Sequence, residues 1–186
     1  KAILNSTLDR LKKYIKKLKP TSYKSIWSSY EYDKLHYSEK DNLVKKNFVK
    51  ISLEFINLKH NENYILDCGS NTGEFSKIAS DLNYKVLAID FDEQSLNSLL
   101  IKKYLNINTA KINIANPTPG IGWKNKEIRS FLERSEKKFL CTLFLGIIHH
   151  LTVTDRIPID EILKLICSLS IKFSIIEFIS NKDPKF

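Results

Sequence analysis

The sequence from residue 65 to residue 75, Ile-Leu-Asp-Cys-Gly-Ser-Asn-Thr-Gly-Glu-Phe, decides the fold. An apolar run typical of a buried strand ends in a turn that contains glycines, and a helical pattern follows at once. Gly69 and Gly73 matter because glycine adopts positive φ and allows close approach to a ligand, while the start of a helix presents N–H groups. The stretch therefore predicts a strand, a ligand-binding turn and a helix.

A carboxylate follows at the end of the next apolar run. Residues 86–89 lead into Asp90, 17 residues after Gly73. An acidic residue at this strand end accepts hydrogen bonds from ribose hydroxyls in nucleotide-binding α/β folds. The turn reads Asp-x-Gly-x-Asn-x-Gly, whereas a dinucleotide fold has Gly-x-Gly-x-x-Gly. We expect a nucleotide-like ligand that is not a dinucleotide, and the alternative is a strand, turn and helix without any ligand.

From residue 64 onward, short apolar runs alternate with helical patterns. Strands are predicted at residues 64–68, 85–90, 107–112, 139–145 and 172–178, and helices at 74–82, 93–104, 127–135 and 159–169. This alternation is typical of an α/β fold with a mostly parallel sheet and helices on its faces.

The positive charge is concentrated at the front of the chain. Residues 1–60 carry 14 Lys+Arg against 6 Asp+Glu, and the remaining residues carry 16 against 15. Apolar residues recur at helical spacing here, namely Leu4, Leu8, Leu11, Ile15 and Leu18. We interpret the segment as a basic helix that docks on the domain with a solvated face, and the alternative is contact with nucleic acid or another anionic surface.

The expected division is an N-terminal helical extension and lid at residues 1–60 and a ligand-binding domain at residues 61–186. Residues 27–37 are polar and aromatic and are interpreted as a lid or access segment. A capping signal at residues 38–41 predicts a helix with apolar positions from 43 to 56.

Length and composition fit one ordinary domain of 186 residues, of which 42% are hydrophobic. No run approaches the roughly 18 apolar residues of a membrane span, and no secretory signal opens the chain, so a soluble, cytoplasmic protein is expected. Cys68, Cys141 and Cys167 lack Cys-x-x-Cys spacing. They are predicted to be buried thiols, and neither disulfides nor a metal is expected.

The turn and Asp90 resemble motif I of the class I S-adenosylmethionine-dependent methyltransferases. From about Trp27 to the C-terminus, the sequence is similar to a group of bacterial methyltransferases related to a nodulation protein. It is carried by residues 116–123, Glu127, Arg129, Arg134 and residues 143–151, 157–159, 176–178 and 183–184. The resemblance implies a Rossmann-like three-layer sandwich and S-adenosylmethionine as cofactor. Members of the class have seven strands, and the last ones are expected to be missing from this chain.

The resemblance also implies which residues contact the cofactor. It assigns Asp67 to the amino-acid end and Asp90 to the ribose. The other contacts are Gly69, Ser70, Asn71 and Gly73 beneath the cofactor, Phe91, Asp92 and Asn113 at the adenine, and Leu145 and Gly146 beside the methionine half. Asn113 departs from the family pattern, in which aspartate is commoner.

Catalytic candidates follow the fourth and fifth predicted strands, where a parallel sheet opens its crevice. Methyl transfer requires an aligned nucleophile and, for a hydroxyl acceptor, removal of its proton. His149 or His150 is predicted as the general base or a substrate contact, and the alternative is a packed neutral histidine. Glu177 is predicted to orient a histidine or to bind substrate, with a structural ion pair as the alternative. Trp123 and Arg129 are candidates for the pocket wall.

The acceptor is expected to be a small molecule, and two other functions are alternatives. An RNA methyltransferase would explain the basic front, but the ribose-methylating type needs an aspartate at Leu145-Gly146. The type that methylates bases has an Asn-Pro-Pro-Tyr-like motif after the fourth strand, where this chain has His149 and His150. A non-catalytic cofactor-binding module is the other alternative, because fold alone does not establish chemistry.

Overall fold

The computed structural model describes residues 2–18, 39–57 and 63–179. The helices in these ranges are α1 (Ala2–Lys17), α2 (Glu39–Asn57), α3 (Glu74–Asp81), α4 (Glu93–Ile101), α5 (Phe131–Ser135) and α6 (Ile159–Leu169). The strands are β1 (Tyr64–Cys68), β2 (Lys85–Asp90), β3 (Ile107–Lys111), β4 (Phe139–Phe144) and β5 (Ser170–Ile176). A 3₁₀ turn covers Trp123–Asn125 and a π-helix covers His150–Thr154. The predicted lid at residues 27–37 lies outside the described residues.

The described strands form one parallel sheet in the order β3-β2-β1-β4-β5. This confirms the predicted α/β architecture. The chain winds outward from β1 in one direction through β2 and β3, and then in the other through β4 and β5. In such a sheet, ligands bind at the carboxyl ends of the strands near the point where the winding reverses, which lies here between β1 and β4.

The predicted helix at residues 127–135 begins later than expected. Ile121 and Ile128 form an antiparallel bridge, and α5 starts only after Ser130. The Ser130 hydroxyl accepts a hydrogen bond from the Glu133 backbone N–H, and the Glu133 carboxylate accepts one from the Ser130 backbone N–H. This capping box fixes the first turn of α5, because it satisfies two backbone donors.

Apolar side chains fill a layer on each face of the sheet. Successive strand residues point to opposite faces, so Ile65 and Leu66 of β1 belong to different clusters. The first layer packs α2 and α3 on the sheet, with Val49, Leu53, Ile56 and Ala79 among its buried residues. The second layer packs α5 and α6, with Phe131, Ile162, Ile166 and Leu169. The arrangement is the predicted three-layer sandwich.

Helix α2 is part of this core, although it falls within the predicted extension at residues 1–60. Val49 and Leu53 are fully buried and Ile56 is nearly so. The buried Tyr84 hydroxyl also donates a hydrogen bond to the Leu53 carbonyl oxygen at 2.8 Å. The packing makes residues 39–57 part of the same core layer as α3 and one face of the sheet.

Two expectations about the chain are corrected. The apolar stripe of α1 has the predicted spacing but is not docked, because its five side chains Leu4, Leu8, Leu11, Ile15 and Leu18 are 45–63% exposed. Helical periodicity predicts which face is apolar, but it does not provide a partner for that face. Cys68 and Cys141 are buried as predicted, whereas Cys167 is exposed. Among the described residues, no helix is both long and apolar enough to cross a membrane.

Candidate functional site

The turn between β1 and α3 is held close to neighbouring backbone and side chains. The N–H groups of Gly69 and Ser70 both donate to the Ile89 carbonyl oxygen, at 2.9 and 3.0 Å. Gly69 and Gly73 have φ values of 72° and 85°. A Cβ at Gly69 would lie 2.9 Å from Ile147 Cδ1, and one at Gly73 would overlap the Leu99 side chain. Both positions therefore require glycine, for conformation and for space.

Asp90 fastens this turn to the end of β2. One carboxylate oxygen accepts from the Asn71 N–H at 2.8 Å, and the other accepts from the Asp92 N–H at 2.9 Å. The side chain is buried, and burial raises the pKa of its carboxyl above the ordinary value although the backbone hydrogen bonds oppose this. Each carboxylate oxygen has a second lone pair, so Asp90 retains the capacity to accept from a ligand.

Asp67 is the most buried acidic group at the site. It is 2% exposed, and its Oδ2 accepts a hydrogen bond from the Ser76 hydroxyl at 2.5 Å. Burial raises the pKa of the Asp67 carboxyl to about 6, and the nearby Asp90 charge adds to this effect. A positively charged group bound next to it would stabilise the ionised form.

Ser70 provides a test of whether the turn fits a polar ligand. Its side chain is buried, and within the described ranges no hydrogen-bond partner lies within reach of its Oγ atom. A buried hydroxyl without a partner is costly, and a ligand atom over the turn would remove that cost. The turn therefore fits the polar end of a nucleotide-like cofactor.

The residues assigned to the adenine have different surroundings. Phe91 is 54% exposed at the end of β2 and can offer its ring to a ligand. Asp92 caps α4, because its Oδ2 accepts from the N–H and the hydroxyl of Ser95. Asn113 Oδ1 accepts from the Ala115 N–H at 3.0 Å. Local hydrogen bonds therefore explain the position of the Asp92 side chain and engage the carbonyl oxygen of the Asn113 amide.

Both histidines lie in the turn that follows β4. Leu145 and Gly146 lead into it, and Gly146 has a positive φ of 71°. His149 and His150 are half-buried, with ring centroids 3.9 Å apart. Burial lowers the pKa of His150 below its ordinary value, and the Asp155 charge opposes this only in part. These surroundings favour the neutral form of His150, which can accept a proton.

Glu177 follows β5 and forms the ion pair that was its structural alternative, with a partner that the sequence did not indicate. Lys45 of α2 lies 2.7 Å from Glu177 Oε2, and the two side chains are only 20% and 17% exposed. The Lys45 ammonium also lies 5.0 Å from the centre of the Phe75 ring in α3. Lys45 and Glu177 are separated by 132 residues, so no local pattern could have indicated the pair. Trp123 and Arg129, in contrast, are both exposed.

Sequence comparison finds a curated relative of this chain. No family model matches the chain. The nodulation protein NoeA of Rhizobium meliloti (strain 1021) is 28% identical over 163 residues, which are 86% of this chain and 33% of NoeA. The chain therefore spans about a third of the length of this curated relative. The similarity agrees with the predicted likeness to a nodulation protein.

Solved structures identify the architecture. The bifunctional kinase-methyltransferase WbdD is similar over 94% of this chain and 36% of its own, with 18% identity and a TM-score of 0.58. A high-resolution structure of WbdD gives a TM-score of 0.52 at 19% identity, over 94% of this chain and 37% of that one. The chain has the class I methyltransferase fold.

In a class I methyltransferase fold, the predicted residues gather at one edge of the sheet. The turn at residues 69–73 follows β1, Asp90 ends β2, the histidines follow β4 and Glu177 follows β5. These positions are carboxyl ends of parallel strands, where α/β folds bind ligands. The contact of the Gly69 turn with Ile147 joins the β1 side of this crevice to the β4 side.

Proposed function

We propose that this chain is the S-adenosylmethionine-binding domain of a methyltransferase that acts on a small-molecule acceptor. The observation that carries the proposal is the turn at residues 69–73, with its buried Ser70 hydroxyl and its attachment to Asp90. S-adenosylmethionine supplies a methyl group on a positively charged sulfur. The likeness to WbdD, which is described as a bifunctional kinase-methyltransferase, supports the proposal.

Each side chain of the crevice contacts a different part of the cofactor in this proposal. Asp90 accepts hydrogen bonds from the ribose hydroxyls, and the Phe91 ring covers the adenine. Asp67 lies under the turn and stabilises the positive amino end of the cofactor through its charge. Ser70 contributes its hydroxyl to a polar atom of the cofactor. The position of each side chain at the carboxyl ends of the strands supports these proposed roles.

Chemistry at the acceptor is assigned to the turn after β4. A neutral histidine accepts the proton that a hydroxyl or similar nucleophile must lose, and His149 and His150 remain the two candidates. Glu177 binds the acceptor or orients a histidine. The crevice aligns the nucleophile with the methyl group, which alone lowers the entropic part of the barrier.

Isothermal titration calorimetry tests the proposal directly. S-adenosylmethionine and S-adenosylhomocysteine are expected to bind, and NAD is not, because the turn lacks the three-glycine arrangement of a dinucleotide site. Binding of NAD alone would contradict the proposal. Release of S-adenosylhomocysteine during incubation with metabolite pools would distinguish an enzyme from a non-catalytic binding module.

Replacing Asp90 with alanine is expected to weaken S-adenosylmethionine binding by about 2 kcal/mol, or roughly 30-fold. The change removes acceptors for the ribose hydroxyls and releases the Asn71 backbone from the end of β2. Glu93→Ala is the control, because Glu93 is an exposed neighbour that pairs only with surface Lys111 in the described contacts. Unchanged affinity in a folded Asp90→Ala protein would remove the ribose assignment.

An RNA substrate is the second candidate, because α1 is basic and exposed. We expect deletion of residues 1–19 to leave cofactor affinity unchanged and the intact chain to bind RNA negligibly at physiological salt. A gel-shift titration across salt concentrations measures this. Tight RNA binding that weakens steeply with salt and disappears on deletion would favour the RNA function, since phosphate contacts release counterions.

A further inference from the structure

Helix α1 has an apolar side that stays in contact with solvent. Every side chain from Leu4 to Leu18 is exposed in the structure. Apolar residues recur alternately four and three positions apart, which places their side chains in a row along one side of the helix. We call this row the α1 stripe, and it consists of Leu4, Leu8, Leu11, Ile15 and Leu18. A continuous apolar surface of this kind marks a site of interaction.

The rest of the α1 surface is strongly basic. Residues 4–18 contain five basic residues and one acidic residue, Asp9, which gives a net charge of +4. At 3.6 residues per turn, Lys13, Lys16 and Lys17 project from the side opposite the stripe, and Arg10 and Lys12 project along its two borders. Long basic side chains at a border can lay their stems on an apolar surface and keep their charges in water. The helix thus combines an apolar side with a cationic one.

A lipid bilayer with anionic headgroups matches both sides of α1 at once. A helix that lies in the plane of the membrane surface buries its apolar side at the boundary of the acyl chains, while its basic side contacts the headgroups. The 16 residues of α1 extend over roughly 24 Å, and charges follow the whole helix, so it fits along a membrane and not across it. Each basic residue near an anionic bilayer strengthens binding by roughly fivefold.

RNA matches α1 less well than a membrane does. Phosphates would pair with the basic side, but the stripe would remain in water. Single-stranded bases stack on aromatic side chains, whereas the stripe is entirely aliphatic.

A second copy of the chain is also a poorer match, although the spacing of the stripe suits a pair of helices. Two copies of α1 would bring together two charges of +4. The positions that would border the contact between the helices include no acidic residue to compensate for this; they are Asn5, Thr7, Lys12 and Tyr14. Charge therefore favours an anionic partner over a second copy.

We propose that α1 docks this chain on a membrane surface that contains anionic lipids. The α1 stripe enters the boundary of the acyl chains, and the basic residues contact the headgroups. Arg10 and Lys12, at the borders of the stripe, hold the helix at the depth of the headgroups. The inference concerns a surface separate from the cofactor crevice, so it does not rest on the proposed function.

Vesicle flotation with the whole chain tests the inference. The probes are vesicles of phosphatidylcholine alone and vesicles of equal parts phosphatidylcholine and phosphatidylglycerol. At physiological salt, we expect binding to the anionic vesicles to be stronger by about tenfold or more, and deletion of residues 1–19 to abolish it. No binding to anionic vesicles at lipid concentrations on the order of 1 mM, or equal binding after the deletion, would overturn the inference.

Two variants that each add one lysine separate docking of the stripe from simple charge attraction. Leu11→Lys places the new charge in the middle of the stripe, and Asn5→Lys, the matched control, places it on the polar side. Both positions are exposed, so neither change affects a packed core. We expect Leu11→Lys to weaken binding to anionic vesicles by about tenfold or more, because a buried leucine is lost, and Asn5→Lys to bind at least as tightly as the wild type. Equal binding by the two variants would show that charge alone is responsible and overturn the inference.

The other partners give different results in the same set of proteins. Binding of the intact chain to RNA at physiological salt without binding to anionic vesicles would replace the membrane with RNA. Dimers in sedimentation equilibrium that Leu11→Lys dissociates, again without vesicle binding, would identify a second copy as the partner. Calorimetry with S-adenosylhomocysteine should give wild-type affinity for Leu11→Lys, because α1 contains none of the residues assigned to the cofactor. A chain that binds vesicles but not this ligand would refute the proposed function alone.

Discussion

If His149 or His150 is the proposed general base, replacing that residue with alanine is expected to slow methyl transfer by about 100- to 10,000-fold, the usual effect of losing a general base. Cofactor affinity should stay within a few-fold, because proton removal matters only in the reacting complex. The other histidine should mainly affect stability. Single-turnover rates of His149→Ala and His150→Ala measure this, once the acceptor is known.

The control for the histidine variants is Val153→Ala, since Val153 is exposed in the same π-helix. The pH profile is a second readout. A base must be neutral, so the rate is retained above its pKa and lost as the pH falls through it. Burial lowers the pKa of His150, so if His150 is the base the midpoint of the loss lies below the ordinary pKa of a histidine. Full turnover by both alanine variants would assign catalysis to alignment alone or to Glu177.

Asp67→Asn is expected to stabilise the ligand-free domain by about 3 kcal/mol at pH 8. The pKa of the Asp67 carboxyl is raised from 3.8 to about 6 in the folded protein. The folded state therefore binds this proton more tightly than the unfolded chain, and protonation of Asp67 favours folding. The stability that the protonated Asp67 side chain contributes is complete below about pH 4 and is lost as the pH rises to about 6. Above that pH, the folded wild type pays the full free-energy cost of the buried charge. Urea unfolding at pH 8 and pH 4 measures the difference, which should disappear at the lower pH.

The same variant should bind S-adenosylmethionine more weakly, because the carboxylate that attracts the amino end is gone. Asp81→Asn is the control: Asp81 is exposed, pairs with Lys77 across one helical turn, and should change stability by less than about 0.5 kcal/mol. A less stable Asp67→Asn protein at pH 8 would show that burial does not dominate at this carboxyl. Greater stability with weaker binding would show that the site trades stability for function.

Local signals in the sequence account for most of the fold. The pattern of short apolar runs between turn residues predicted all five described strands within two residues of their observed starts and ends. The late start of α5 was also readable, since Ser130 and Glu133 have capping-box spacing. The cap at Asp92 and Ser95 belongs to the same class of local signal.

Long-range contacts could not be predicted from the sequence. The partner of Glu177 is Lys45, on a helix that was assigned to an N-terminal extension. The burial of Val49 and Leu53 against the sheet depends on how α2 packs, which helical spacing alone does not determine. The candidate site residues on the sheet were predicted because each follows its own strand, whereas Lys45 of α2 comes from a distant part of the chain.

The burial of α2 determines how a ligand can reach the carboxyl ends of β4 and β5. Swinging the helix aside would expose Val49, Leu53 and Ile56 and break the hydrogen bond from Tyr84 to Leu53. At about 1.5–3 kcal/mol for each apolar side chain, such opening costs at least about 5 kcal/mol, which corresponds to a population of roughly one molecule in several thousand or fewer. Helix α2 therefore stays in place while a ligand enters and leaves. Ligand association at this edge of the sheet should be a single step whose observed rate rises linearly with ligand concentration.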